Sequence, residues 1–225
     1  MSILDTMDAV EIAQDDYYRF LEGKRVVIVG PAETMIGSEQ GSLIESYDVV
    51  VRLNTVIKSM PFEPSLQRDI GERIDVLYLS GVNVFQLVIQ SNILPKFMRH
   101  RNARLIKREK KRKNIPEHIC EICSVSHGAE LRYELEATPT TGICAIYDLL
   151  LYPIKELYVT GFTFFQGGGH LFRTSKKFHS NTLIKEIGNH RPQRELELFK
   201  TLTQLFDADA RTNIRLDEPL KELCR

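Results

Sequence analysis

The run Arg25–Val29 (RVVIV) constrains the fold more than any other part of this chain. After its first residue it is entirely apolar and β-branched, and Gly30 closes it at once. A strand that is apolar on both faces must be covered on both faces, and parallel sheets with crossover helices do this. The downstream segments repeat the same grammar. The loop Gly30-Pro31-Ala32-Glu33-Thr34-Met35-Ile36-Gly37 leads to a short helix expected from Ser38 through Glu45. Further strands are expected at residues 47–53 (YDVVVRL), 74–79 (IDVLYL), 103–106 (ARLI) and 156–160 (ELYVT). Helices are expected at residues 8–21, 82–89, 142–151 and 193–206. The last is amphipathic, with Leu196, Phe199, Leu202 and Phe206 on one side. Alternating strands and helices predict an α/β fold: a mainly parallel, Rossmann-like sheet flanked by helices, in one domain over residues 1–225.

Ligands of such sheets sit beyond the carboxyl ends of the strands. That directs attention to the Gly30 loop, Asn54, Ser80-Gly81 and Gly161. The loop is not the dinucleotide fingerprint, because G-x-G-x-x-G is absent, and it is not a P-loop. Six residues separate Gly30 from Gly37, and Ser38 stands where that motif needs lysine. A plain βα turn is the alternative. Further along the chain, Pro139-Thr140-Thr141-Gly142 precedes the expected helix at 142–151. Hydroxyls, backbone N–H groups and a positive dipole end there suit a phosphate, although capping by threonine alone also accounts for them.

Three segments in order then resemble the sialyl motifs of the animal-type sialyltransferases, glycosyltransferase family 29. Residues 26–54 (VVIVGPAETMIGSEQGSLIESYDVVVRLN) resemble the large motif, residues 139–162 (PTTGICAIYDLLLYPIKELYVTGF) the small motif, and His190 with Glu195 (HRPQRE) the very small motif. The resemblance divides the domain into a nucleotide-binding unit at 22–54 and a half at 139–206, and it implies a GT-A-like variant of the fold. It also implies inverting transfer of a CMP-activated 2-keto sugar acid, sialic acid or one like Kdo, to a glycan hydroxyl, with no metal or other cofactor. The chain departs from the family pattern in places. Pro31 replaces the asparagine of the family's Gly-Asn loop. Lys24-Arg25 and Pro153-Ile154 stand where the family carries a pair of disulfide-forming cysteines. Gly167-Gly168-Gly169-His170 stands where the family has an aromatic-rich histidine segment. The pattern is that of a minimal bacterial or viral relative.

By resemblance, His190 is the general base on the acceptor hydroxyl. Imidazole, which ordinarily titrates near ~6.5, suits that task at neutral pH. Glu195 supports the loop or the start of the helix. Asn54 contacts the nucleotide, and Gly30, Pro31 and Ala32 approach it through backbone. Thr140, Thr141 and Gly142 hold the departing phosphate, helped by His170 or, in competition with it, His179.

Other readings remain open from sequence. Asp207-Ala208-Asp209 has the form of a metal-binding pair in a metal-dependent nucleotide-sugar transferase, or is a solvated helix end. His118, Cys120, Cys123 and His127 have zinc-ligand types, but the spacing is cramped and a second Cys pair is missing. A non-catalytic nucleotide- or glycan-binding module on the same fold is a further alternative. Thirty basic and thirty acidic residues give zero formal charge, which speaks against a nucleic-acid binder. The basic run from Arg99 to Lys113 (RHRNARLIKREKKRK) reads as a solvated face that can steer toward an anionic acceptor or a membrane surface. No signal peptide or membrane span is evident, so a cytoplasmic location is expected, peripheral to a membrane at most.

Overall fold

The computed structural model describes residues 15–80, 95–100, 102–115, 120–125, 128–167, 169–172, 190–209 and 211–225. Its centre is a seven-stranded sheet in which every neighbouring pair is parallel. The strands are β1 (Arg25–Val29), β2 (Val49–Leu53), β3 (Val76–Leu79), β4 (Phe97–His100), β5 (Glu121–Ser124), β6 (Glu156–Thr160) and β7 (Asn213–Leu216), in the order β5-β4-β3-β2-β1-β6-β7. The helices are α1 (Asp16–Leu21), α2 (Gly41–Glu45), α3 (Pro64–Ile70), α4 (Ala103–Arg112), α5 (Gly128–Leu135), α6 (Thr141–Leu150), α7 (Pro192–Asp209) and α8 (Glu218–Cys224).

β1 behaves as its sequence requires. Val26 and Ile28 enter one core with α1, α5, α6, α7 and α8, while Val27 and Val29 enter a second core with α2, α3 and α4. The two-residue side-chain period of a strand makes this division, and a run apolar at every position feeds both cores. The chain builds from β1 out to β5 on one side, then returns across the sheet so that β6 pairs with the opposite edge of β1. The switch point, where ligands of open α/β sheets bind, therefore lies between the carboxyl ends of β1 and β6.

The expectation of a strand at residues 103–106 is corrected. Those residues open α4, whose N-cap Asn102 accepts the Leu105 N–H at 3.1 Å. The strand lies just upstream, at Phe97–His100, and carries a buried arginine. The Arg99–Lys113 run is likewise not one solvated face: Arg99 is 2% exposed, and Lys110 is buried with Nζ 2.5 Å from the Cys120 carbonyl. The expected N-terminal helix is described only from Asp16, and the helix expected at 82–89 lies outside the described residues.

Arg99 centres a polar knot under α6. Its guanidinium meets Asp148 at 2.6 and 2.7 Å and the Tyr152 hydroxyl at 3.0 Å. Tyr78 donates to Asp148 at 2.6 Å, and Tyr17 and Tyr78 hydroxyls are 3.1 Å apart. Burial is the largest single influence on Arg99 and disfavours its charge, but the Asp148 carboxylate and the surrounding tyrosine oxygens together outweigh it and drive the guanidinium's pKa upward. Burial raises the three tyrosines, so they stay neutral.

The positions where the resemblance puts a cysteine pair lie side by side. Gly23 N donates to the Pro153 carbonyl at 2.8 Å, and Lys155 N to the Lys24 carbonyl at 2.9 Å. Backbone pairing joins the two segments there.

Candidate active site

Parallel pairing brings Gly30, Asn54, Ser80 and Gly161 to one end of the sheet. At the switch point Gly30 and Gly161 touch. A Cβ on Gly30 would lie 2.2 Å from the Gly161 carbonyl oxygen and 2.8 Å from the Phe162 ring. The same ring lies 2.8 Å from where a Gly142 Cβ would stand. Phe162 is thus a wedge on which the Gly30 turn and the start of α6 both close, and side chains at either glycine would collide with it. Gly161 has φ +72°, a conformation that favours glycine.

The Gly30 loop has little N–H capacity left for a ligand. Gly30 N donates to the Thr160 carbonyl, Ala32 N to Gly161, and Glu33 N to Gly169, at 2.8, 3.0 and 3.1 Å. Pro31 has no N–H, and its carbonyl accepts from Leu171 at 2.9 Å. Residues 169–172 are thereby tied onto the loop, with His170 in a β-bridge to Ala32. The amide donors lie instead at α6. Thr140 caps that helix through its hydroxyl, while the N–H groups of Thr141 and Gly142, in the first turn, have no intrahelical partner.

Asn54, with φ +49°, closes β2. Its Oδ1 accepts the Ser80 N–H at 2.9 Å, the Ser80 hydroxyl at 3.0 Å and the Thr141 hydroxyl at 3.4 Å. It ties the ends of β2 and β3 to the start of α6 and keeps its Nδ2 as the donor.

His190 and Glu195 grip the segment that leads into α6. His190 Nδ1 lies 2.5 Å from the Thr138 carbonyl. Glu195 is 1% exposed; its two oxygens accept the Thr140 N–H at 2.8 Å and the Thr140 hydroxyl at 2.6 Å. Burial pushes the Glu195 carboxyl up to about 7, against the pull of these two hydrogen bonds. The His-x-x-x-x-Glu spacing thus places two side chains on Thr138 and Thr140, and the hydrogen bonds of Glu195 run to threonine.

The two histidines hold opposite tautomers in their neutral forms. A carbonyl only accepts, so Nδ1 of His190 carries the proton and Nε2 keeps its lone pair. His170 Nδ1 accepts the Phe172 N–H at 3.2 Å, so its Nε2 carries the proton. His179 lies outside the described residues.

The rival sites fare differently. Asp207 and Asp209 end α7, and Asp207 is exposed about 18 Å along the helix from Glu195. Cys120 and Cys123 enter different cores, on opposite faces of the sheet, so one ion cannot take both thiols there. Burial raises Cys120 to about 12 and Cys123 to about 11. His118 and His127 lie outside the described residues. Asp217 adds a contact that no motif announces. It is buried, caps α8 through Leu220 N at 2.9 Å, and accepts the Gly161 N–H at 2.7 Å and the Thr160 hydroxyl at 2.9 Å. These last two partners are 56 and 57 residues away in the chain, beyond the reach of any local pattern.

The fold has counterparts among solved structures and is shared with sialyltransferases. A mammalian sialyltransferase in complex with Gal-beta-1-3GalNAc-ortho-nitrophenol superposes with a TM-score of 0.56 at 14% identity, over 94% of this chain and 77% of that one. The sialyltransferase CstII from Campylobacter jejuni, in complex with the substrate analogue CMP-3FNeuAc, gives 0.54 at 14% identity over 88% and 87%. The monofunctional alpha-2,3-sialyltransferase Cst-I from the same organism gives 0.53 at 14% identity over 92% and 78%. No protein-family model matches the chain, and no curated protein matches it in sequence.

Proposed function

We propose that this protein is an inverting glycosyltransferase that moves a 2-keto sugar acid, sialic acid or a Kdo-like sugar, from its CMP ester to a glycan hydroxyl. The observation that carries the reading is the grip of His190 and Glu195 on Thr138 and Thr140. It joins an imidazole with an open Nε2 lone pair to a helix start with open N–H groups, on a fold shared with enzymes solved with CMP-sugar analogues.

In this reading the Thr141 and Gly142 amides and the α6 dipole receive the donor phosphate. Asn54 Nδ2 and the Gly30–Ala32 surface contact the nucleotide, the latter by packing, since its N–H groups are committed. His190 Nε2 takes the proton of the acceptor hydroxyl as the new C–O bond forms at the anomeric carbon. The bond from that carbon to the phosphate oxygen breaks, and its electron pair leaves with CMP. His170, with its proton on Nε2, donates to that phosphate. Glu195 touches neither reactant; it positions Thr140. None of these steps calls on a metal, and the Asp207/Asp209 alternative stands far along α7 from this constellation.

The test is calorimetry with CMP, UDP and NAD in chelator, followed by turnover with CMP-sialic acid and CMP-Kdo. CMP binds, raising stability by about 2.7 kcal/mol at one hundred times its dissociation constant, and one of the two sugars is transferred. Stabilisation by UDP or NAD and not by CMP overturns the reading. CMP binding without transfer of either sugar points to the non-catalytic module.

A further inference from the structure

Helix α4 carries a face that the transfer chemistry does not use. At 3.6 residues per turn, Arg104, Lys107, Arg108, Lys111 and Arg112 fall within an arc of about 140°, along about 12 Å of helix. All five are exposed. Ala103, Ile106 and Lys110 occupy the opposite side and are buried. Arg112 pairs with Glu109 at 2.8 Å; the other four cations have no ion pair among the described residues. A protein of zero formal charge therefore concentrates a cationic stripe on one rigid surface.

We infer that this stripe is a docking surface for an anionic phospholipid membrane. Charge complementarity names an anionic partner, and the character of the face selects a lipid surface over a glycan chain. The five positions are all lysine or arginine, with no aromatic ring to stack a sugar and no amide or hydroxyl to read one. The surface is the convex side of a helix, not a groove. Ala103 and Ile106 face inward and Leu105 is half-buried at the edge of the stripe, so the stripe itself is cationic throughout; it adsorbs to headgroups and does not insert. α4 packs with the core of α2 and α3, whereas α6 and α7, which carry the Thr141 and Gly142 amides and Glu195, lie on the other face.

The experiment is sedimentation of the full chain with vesicles of phosphatidylcholine alone and of phosphatidylcholine with phosphatidylglycerol at two to one. The anionic vesicles bind at least tenfold more tightly, and binding collapses when salt rises from about 0.1 M to about 1 M, where the Debye length shrinks from about 10 to 3 Å. Replacing Lys107, Arg108 and Lys111 with glutamine lowers affinity about fivefold per charge removed, with unchanged thermal unfolding. Arg104→Gln and Arg112→Gln together provide a second variant should the first unfold. The inference is overturned by equal binding to both vesicles, by salt-insensitive binding, by full affinity in the folded variants, or by heparin displacing the protein at equal charge concentration. None of these outcomes bears on CMP binding, which is measured separately.

Discussion

Two buried carboxylates serve helix α6, and they are satisfied in opposite ways. Asp148, in the body of the helix, is met by the Arg99 guanidinium and the Tyr78 hydroxyl. Glu195, which holds the start of the helix from α7, is met by a threonine N–H and hydroxyl and has no cationic partner among the described residues. The first pair is charge-neutral as a unit and fixes the fold. The second is left with a pKa near 7, so its charge is marginal at neutral pH. Asp148, a scaffold group, is given its counter-ion; Glu195, set beside the candidate site, is not. In the proposed reaction, a lysine or arginine placed to pair with Glu195 would compete with α6 for the donor phosphate.

The largest break comes at the scaffold. Asp148→Ala leaves the Arg99 charge buried and unpaired, and destabilises the protein by about 3–5 kcal/mol in chemical denaturation. Replacing Arg99 and Asp148 together with apolar residues of similar volume recovers most of that loss. If the single variant costs less than about 1 kcal/mol, Asp148 is no scaffold residue.

How much of this contrast the sequence carries depends on distance along the chain. β1, β2, β3 and β6 are legible because each holds at least three consecutive apolar residues, enough to mark it as buried even where, as in β2, an arginine follows. β4 is not, since FMRH reads as polar until Asp148, 49 residues later, neutralises Arg99. The run ARLI at 103–106 looks like a strand by its apolar members. Ala103, Ile106 and Lys110 show the helical spacing only when the buried lysine is counted with them, and a lysine is not read as buried until the Cys120 carbonyl is there to receive it. At the site, the threonine pair, Asn54, His190 and Glu195 are legible as motif residues. The committed N–H groups of the Gly30 loop, the Phe162 wedge and Asp217 are not, because each depends on contacts between segments far apart in sequence.

The next break falls on the reactive side. His190→Ala slows transfer by about 10²–10⁴-fold, while CMP affinity measured by calorimetry stays within about twofold. Asn54→Ala has the reverse signature, weakening CMP binding first. Equal loss of CMP affinity in both variants would remove the assignment of His190 to the acceptor.

The smallest effect sharpens the comparison most, because it reads the charge of Glu195 itself. Its native pKa of about 7 lies above the 4.5 of an exposed glutamate. Between those values the native state binds more protons at this position than the unfolded chain does. Stability from this group is therefore complete below about pH 4.5, declines as pH rises toward 7, and is flat beyond. The total is about 3 kcal/mol, given the size of the shift. Glu195→Gln removes the titration and keeps the geometry: the amide oxygen accepts the Thr140 N–H, and the amide nitrogen donates to the Thr140 hydroxyl, which turns to accept. The difference in unfolding free energy between wild type and variant, followed from pH 4.5 to 8, isolates the group from every other titration they share. It should drift in the variant's favour by that amount and level off near pH 7. A flat difference means that Glu195 keeps an ordinary carboxylate pKa. The two carboxylates of α6 would then differ in partner but not in charge.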